Sequence, residues 1–253
     1  MTADVTYRDL LRDVLKRGEP SSPRGKDTLE IMMHTTCVSM LFPVVVSTKR
    51  KLSARFMASE ALWILTGSNR VDFNEHIQRN WARFSDDGIT LNGAYGPMFV
   101  EQYRYVVDKL KQDRDSRQAV MTLWRPMPRD SKDIPCTVAL QFLIRDSQLH
   151  LNVFMRSSDC WLGWPYDVFT FTMMANYVGL CLKTAYPDLI IGNLRLTAGS
   201  QHLYAEHNNL ALCVVNDEDI LEYDAMTLSR HNHPGDLLAC LRCAIDDPSK
   251  LFP

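Results

Sequence analysis

Met155-Arg156-Ser157-Ser158-Asp159-Cys160-Trp161-Leu162-Gly163-Trp164-Pro165-Tyr166-Asp167 is the stretch on which the reading of this chain turns. Before it, residues 149–155 read as a strand; after it, residues 169–182 form an apolar run. That run is too short and too interrupted to span a bilayer, and it reads as a buried helix. Residues 138–144 are a second strand candidate, joined to 149–155 through Arg145-Asp146-Ser147-Gln148 as a hairpin. Residues 119–124 are a third.

Further toward the amino terminus, residues 103–111 look helical, and 83–96 look like a loop holding Asp86-Asp87-Gly88 and Asn92-Gly93. Residues 53–66 return to helical periodicity with Gly67 as the stop. Residues 28–48 are rich in β-branched and apolar types, interrupted by Pro43, and read as strands. Ser21 through Asp27 is a polar loop with two cations. Residues 5–18 open the chain as an amphipathic helix, with Tyr7, Leu10, Leu11, Val14 and Leu15 on its apolar face and Gly18 at its end. No internal repeat or low-complexity linker interrupts the pattern, so residues 1–253 read as one mixed α+β domain.

The bulk properties narrow the function. With 46% hydrophobic and 23% charged residues, the composition is that of an ordinary globular domain. A formal charge of -2 gives no basic footprint for a polynucleotide, so a nucleotide partner should be small and locally bound. The first eighteen residues lack the apolar core of a signal peptide, and no run reaches the length of a membrane span. Seven irregularly spaced cysteines do not resemble a secreted disulfide framework, and a reducing cytoplasm is the expected setting. Cys240 and Cys243 form a lone CxxC after His231 and His233, which reads as incidental helix residues, and no metal is expected.

Four clusters put reactive side chains beside turn-forming residues: Ile134-Pro135-Cys136-Thr137, Asp115-Ser116-Arg117-Gln118, the opening stretch, and Gly199-Ser200-Gln201-His202-Leu203-Tyr204. A single cysteine is most often a buried structural thiol, and an isolated Arg-Ser-x-Asp is usually a solvated loop, so the reading rests on the set. In this order the clusters resemble thymidylate synthase and its pyrimidine hydroxymethylase relatives. Ser47-Thr48-Lys49-Arg50, Glu60 through Gly67 and Tyr95-Gly96 fall at the matching places, and the resemblance runs from about residue 7 to about residue 210.

The resemblance implies a thymidylate-synthase-like fold, with a mixed twisted sheet packed by helices and a sheet face forming a homodimer interface. It implies chemistry in which a thiolate adds at C6 of a pyrimidine and makes C5 nucleophilic toward a one-carbon donor, 5,10-methylenetetrahydrofolate. Cys136 matches the nucleophile, with nearby arginines expected to lower its pKa. Arg156 and Ser157 match phosphate ligands, Arg117 would reach the phosphate in the partner's site, and Arg24 is the loop cation, displaced by one position from the family arginine. The usual second arginine beside Arg117 is Gln118 here. Glu60 matches the residue that organises water and proton transfer, and Tyr95 the one that supports proton removal from C5. His202 and Tyr204 match sugar-hydroxyl ligands. Trp81, Asp159 and Gly163 fall in the folate-binding part.

The resemblance also implies that Asp167 reads the base. Thymidylate synthases carry asparagine there, whose amide reads both edges of uracil. An aspartate suits cytosine, either protonated with one donor and one acceptor or ionised against N3-protonated cytosine, and is expected to leave uracil badly paired. Deoxycytidylate hydroxymethylases resemble this chain in having aspartate there. Thr137 after Cys136 also resembles the phage-type hydroxymethylases, and residues 246–253 lack the apolar tail that seals thymidylate synthases for hydride transfer. The expected reaction is therefore 5-hydroxymethylation of dCMP or CMP. Its alternatives are C5 methylation of a cytidylate and a reaction on dUMP. A catalytically silent nucleotide-binding regulator would lack the cysteine or the glutamate. A zinc deaminase would need Pro-Cys-x-x-Cys, and Pro135-Cys136 has no second cysteine at that spacing.

Overall fold

The computed structural model describes residues 1–74, 77, 80–125, 130–217, 223 and 230–251. Six strands form one mixed sheet in the order β1-β2-β6-β5-β4-β3. They are β1 (Glu19–Ser21), β2 (Thr28–Ser39), β3 (Val120–Thr122), β4 (Thr137–Arg145), β5 (Gln148–Asp159) and β6 (Ile190–Tyr204). Only β5 and β6 run parallel; the other neighbours are antiparallel. The sequence reading missed β6. Leu194, Leu196 and Ala198 alternate inward as a strand should. Gly192, Gly199 and Ser200 break up the run, and the cluster ending in His202 and Tyr204, read there as turn-adjacent, is in fact the last part of this long strand.

The β4–β5 hairpin turns where expected. Asp146 and Ser147 both adopt positive φ, 49° and 58°, which matches the right-handed twist of the flanking strands. Among the described residues six α-helices accompany the sheet: α1 (Ala3–Arg17), α2 (Ala54–Leu65), α3 (Tyr95–Gln112), α4 (Trp164–Leu182), α5 (Asn208–Val215) and α6 (Pro234–Asp246). Ser53 caps α2 by accepting a hydrogen bond from the Phe56 N–H, and Gly67 takes positive φ just beyond its end. α3 begins at Tyr95, eight residues before its sequence-read start. Gly96 and Pro97 hid it, yet proline is tolerated in a first helical turn because its missing N–H has no intrahelical partner there.

α4 is the centre of the molecule. Fifteen of its residues are buried, and it packs on β5 and β6 on one side and on α2, α3 and α6 on the others. Each of its large apolar side chains contributes about 1.5–3 kcal/mol by leaving water. Trp164, fully buried at its start, donates Nε1–H to the Thr36 hydroxyl of β2 at 3.1 Å and stacks on Tyr7 of α1. This ties α4's first turn to the sheet and fixes the direction in which Asp167 leaves it. The sheet face opposite the helices stays open, with Thr35, Phe154 and Arg195 exposed along a shallow hollow.

All seven cysteines are free thiols. His233 caps α6, its ring accepting from the Gly235 N–H while Asp236 reaches back to the backbone, which accounts for one histidine of the CxxC neighbourhood. Among the described residues no group of three metal-ligating side chains converges, and no helix is long and apolar enough to cross a membrane. Phe252 and Pro253, at the end of the expected open tail, lie outside the described residues.

Candidate active site

A cleft of about 230 Å³ opens between α2, the start of α3, the segment before β4 and the first turns of α4. Glu60, Trp81, Tyr95, Cys136 and Asp167 all line it, so five of the sequence-derived site residues converge. Cys136 ends the segment that leads into β4. Arg156 on β5 holds that segment, donating from Nε to the Pro135 carbonyl and from Nη2 to the Ile134 carbonyl, each at 3.0 Å. The same Nη2 stands 3.8 Å from the Cys136 Sγ.

The expected lowering of the thiol pKa does not hold. Burial pushes the Cys136 thiol up, Arg156 and the more distant Arg24 only partly offset this, and Asp167 and Asp133 add to the rise. The fold therefore holds Cys136 as a thiol, and forming its thiolate needs more positive charge near Sγ than Arg156 and Arg24 supply.

Glu60 projects from α2 among Trp63 and Ile64, and burial together with the Asp167 charge pushes its carboxyl up to about 8. The Thr170 hydroxyl donates to its Oε2 at 3.2 Å and pulls the other way. Asp167 sits one turn into α4, its N–H donating to the Gly163 carbonyl at 3.0 Å, and burial and then Asp159 push its carboxyl up to about 7. Gly163 is needed at close range: a Cβ there would stand 3.2 Å from Asp167 Oδ2. The Tyr95 hydroxyl accepts from the Thr137 N–H at 3.3 Å and from the Thr137 hydroxyl at 2.8 Å. Burial holds its pKa well above the usual phenol range, so it works as a neutral hydrogen-bonding group. Trp81 packs 4.4 Å from Trp63, ring centre to ring centre, forming the aromatic wall of the cleft.

The remaining candidates lie outside the cleft lining. Asp159 uses Oδ1 to accept from the Trp161 and Leu162 N–H groups, shaping the turn into α4. Ser157 faces Ser200 across β5 and β6, and the Ser200 hydroxyl donates to Glu30 on β2. His202 is 9% exposed, with its Nδ1 buried and unpartnered among the described residues, and its ring meets Tyr204 edge-on. Lys26 lies over the Tyr204 ring. Arg24 is exposed in a left-handed turn, φ 55°, and its charge reaches Cys136. Arg117 is exposed ahead of β3, and the structure does not bring it to the cleft.

Two polar residues of the cleft escaped the sequence reading, Thr170 and Asp133. Thr170 could have been found, since it follows Asp167 by three residues on one helix and so shares its face. Asp133 lies in an irregular segment where no periodicity speaks.

The chain is similar to known proteins. The deoxyuridylate hydroxymethyltransferase of Bacillus phage SP01 is 34% identical over 180 residues, covering 62% of this chain and 46% of the phage protein. The chain thus spans about half the length of the curated relative it matches. The profile of the family described as thymidylate synthase matches residues 5–237, past the point near residue 210 where the sequence resemblance faded. With that match across most of its length, the chain belongs to the thymidylate synthase family.

Proposed function

We propose that this protein is a 5,10-methylenetetrahydrofolate-dependent 5-hydroxymethyltransferase acting on a cytidylate, CMP or dCMP. The observation that carries the proposal is Asp167, a carboxyl at the floor of a cleft that also holds a cysteine, a glutamate and a tyrosine. Cys136 adds to C6, giving C5 the electrons to attack the one-carbon unit. Trp81 stacks on the folate, and Asp159 and Gly163 complete its side of the site. Glu60, largely protonated near neutrality, donates a proton to the ring or its bound water. Tyr95, a neutral phenol, supports proton removal from C5 by hydrogen-bonding the group or water that takes the proton. Water then completes the hydroxymethyl group, as the name of the phage relative describes for that enzyme.

The folded environment changes the expected base selectivity. A neutral carboxyl can place its proton on either oxygen, so it can pair with the N3–C4 edge of uracil as well as that of cytosine. An ionised carboxylate, an acceptor on both oxygens, opposes uracil O4 and an unprotonated cytosine N3 alike, so the cytosine pair needs one shared proton, which the basic N3 can hold as well as the carboxyl. With Asp167 at about 7, that proton is kept up to about neutrality, and preference for cytidylate should fall above it. A second reading, a uridylate substrate, is supported by the phage relative's deoxyuridylate activity.

At the other end, Arg156, Ser157 and Arg24 bind the phosphate, His202 and Tyr204 the sugar, and the open sheet face forms a homodimer through which Arg117 serves the neighbouring site. The His202 Nδ1, buried without a partner among the described residues, suits a sugar hydroxyl. The test is to incubate the enzyme with methylenetetrahydrofolate and CMP, dCMP or dUMP and weigh the products. A 5-hydroxymethylcytidylate is expected. Turnover of dUMP alone would remove the cytidylate reading, and a 5-methyl product with dihydrofolate would make it a methylase.

A further inference from the structure

Asp133 is a carboxylate that the reaction sketched above leaves without a task. It precedes Cys136 by three residues and lines the same cleft, between Gly93 and the apolar side chains of Ile134 and Leu91. The side chain is held on purpose-built geometry. The Gly93 N–H donates to Oδ2 at 2.7 Å, and a Cβ on residue 93 would stand only 3.0 Å from both carboxylate oxygens. Its backbone is fixed as well: the Asn92 side-chain amide donates to its carbonyl at 3.1 Å, and its own N–H donates to the Ser131 hydroxyl at 3.1 Å. Its charge is felt at the Cys136 thiol.

A half-buried carboxylate with one fixed hydrogen bond has lone pairs left for a water molecule in the cleft. The other carboxyls there are poorly suited to take a proton. Glu60 is held protonated at neutrality, and Asp167 faces the base. Burial makes the Asp133 carboxylate more basic than usual, while the Gly93 N–H tempers the shift.

We propose that Asp133 is a further catalytic residue, the general base that holds and deprotonates the water that makes the hydroxymethyl group. The inference rests on the hydroxymethyl reading given above. After one-carbon transfer and departure of tetrahydrofolate, C5 carries an exocyclic methylene while C6 remains bonded to Cys136 sulfur. The water oxygen bonds to the methylene carbon and its proton passes to Asp133. The methylene π pair moves onto the ring, C5=C6 re-forms, and the C6–S bond breaks to return the Cys136 thiolate. Nothing is oxidised or reduced, and tetrahydrofolate leaves unoxidised. Asp133 thus helps decide whether the methylene meets water or another nucleophile.

The experiment uses the full chain with [5-³H]-labelled CMP and dCMP, methylenetetrahydrofolate and 2-mercaptoethanol, and measures hydroxymethyl product per tritium released. The ratio does not depend on how much enzyme is folded. Asp133→Asn keeps an oxygen for the Gly93 N–H, and Asp133→Leu removes both oxygens. Each should lower the ratio by about tenfold or more, with the mercaptoethanol thioether of the exocyclic carbon appearing instead. An unchanged ratio in both variants would overturn the role of Asp133. Failure of the unsubstituted enzyme to release tritium from either nucleotide, or its release into a 5-methyl product, would overturn the underlying reading instead.

Discussion

At the base end of the cleft, Glu60 and Asp167 sit in an apolar recess, and burial pushes their carboxyls up to about 8 and about 7. At the proposed phosphate end, Arg156 and Arg24 are exposed, and Arg156 uses its fork on the backbone of its own chain, at Ile134 and Pro135. The first end is finished before any ligand arrives, because low local polarity sets the protonation states in advance. The second is a pair of exposed cations proposed above to bind the phosphate, one of them already tied to the backbone. Chemistry is stored at one end, and affinity is recruited at the other. Four substitutions separate the two.

The largest effect should come from Cys136→Ala, which removes the nucleophile that both ends serve. C5 tritium release should fall on the order of 10⁴-fold or more, measured with saturating nucleotide, while nucleotide binding persists. Retained release would mean another group attacks C6. Asp167→Asn should come next. An amide donates to O4 and accepts from N3–H, so the ratio of uridylate to cytidylate turnover should rise by roughly 10²–10⁴-fold in competition assays. An unchanged ratio would move base selection elsewhere in the cleft.

Glu60→Gln should cost about 10²-fold in kcat and gain stability at alkaline pH. The carboxyl titrates near 8 in the fold against an ordinary 4.5, so between those values the folded chain keeps a proton that the unfolded chain has lost. Stability due to Glu60 is therefore fully present below about 4.5 and is lost as pH rises through about 8. The amide removes that loss, and denaturant melts above pH 8 should favour Glu60→Gln by roughly 1–3 kcal/mol. Arg156→Lys tests the other end and should be the mildest. A point charge replaces a planar fork, so KM for the nucleotide should rise about tenfold with a smaller change in kcat. A dominant fall in kcat would show that Arg156 belongs with the base end through its contact with Cys136.

The same division governs what could be read from sequence. The α+β layout followed from periodicity for α1, α2, α4 and the β4–β5 hairpin, because each has an uninterrupted apolar face. β6 was hidden by its glycines although its inward leucines alternate, and the α3 start was hidden by Gly96-Pro97. At the site, the family resemblance pointed to Glu60, Trp81, Tyr95, Cys136 and Asp167, and the fold gathers these five in one cleft. Electrostatics could not be read that way. The Cys136 thiol was expected to be lowered by arginines, yet desolvation, which depends on every surrounding element, outweighs Arg156. Asp133 enters the cleft only because Gly93, distant in sequence, has no side chain to block it.

The central claim, that the Asp167 carboxyl selects the base, is tested most directly by the pH dependence of selectivity. The measurement is the ratio of C5 tritium release from dCMP to that from dUMP, in competition, from about pH 6 to about pH 9, in the unsubstituted enzyme and in Asp167→Asn. The ratio should be highest below about 7 and fall as Asp167 loses its proton, and the fall should vanish in Asp167→Asn. A ratio that favours dUMP at every pH, or a fall that survives in Asp167→Asn, would contradict it.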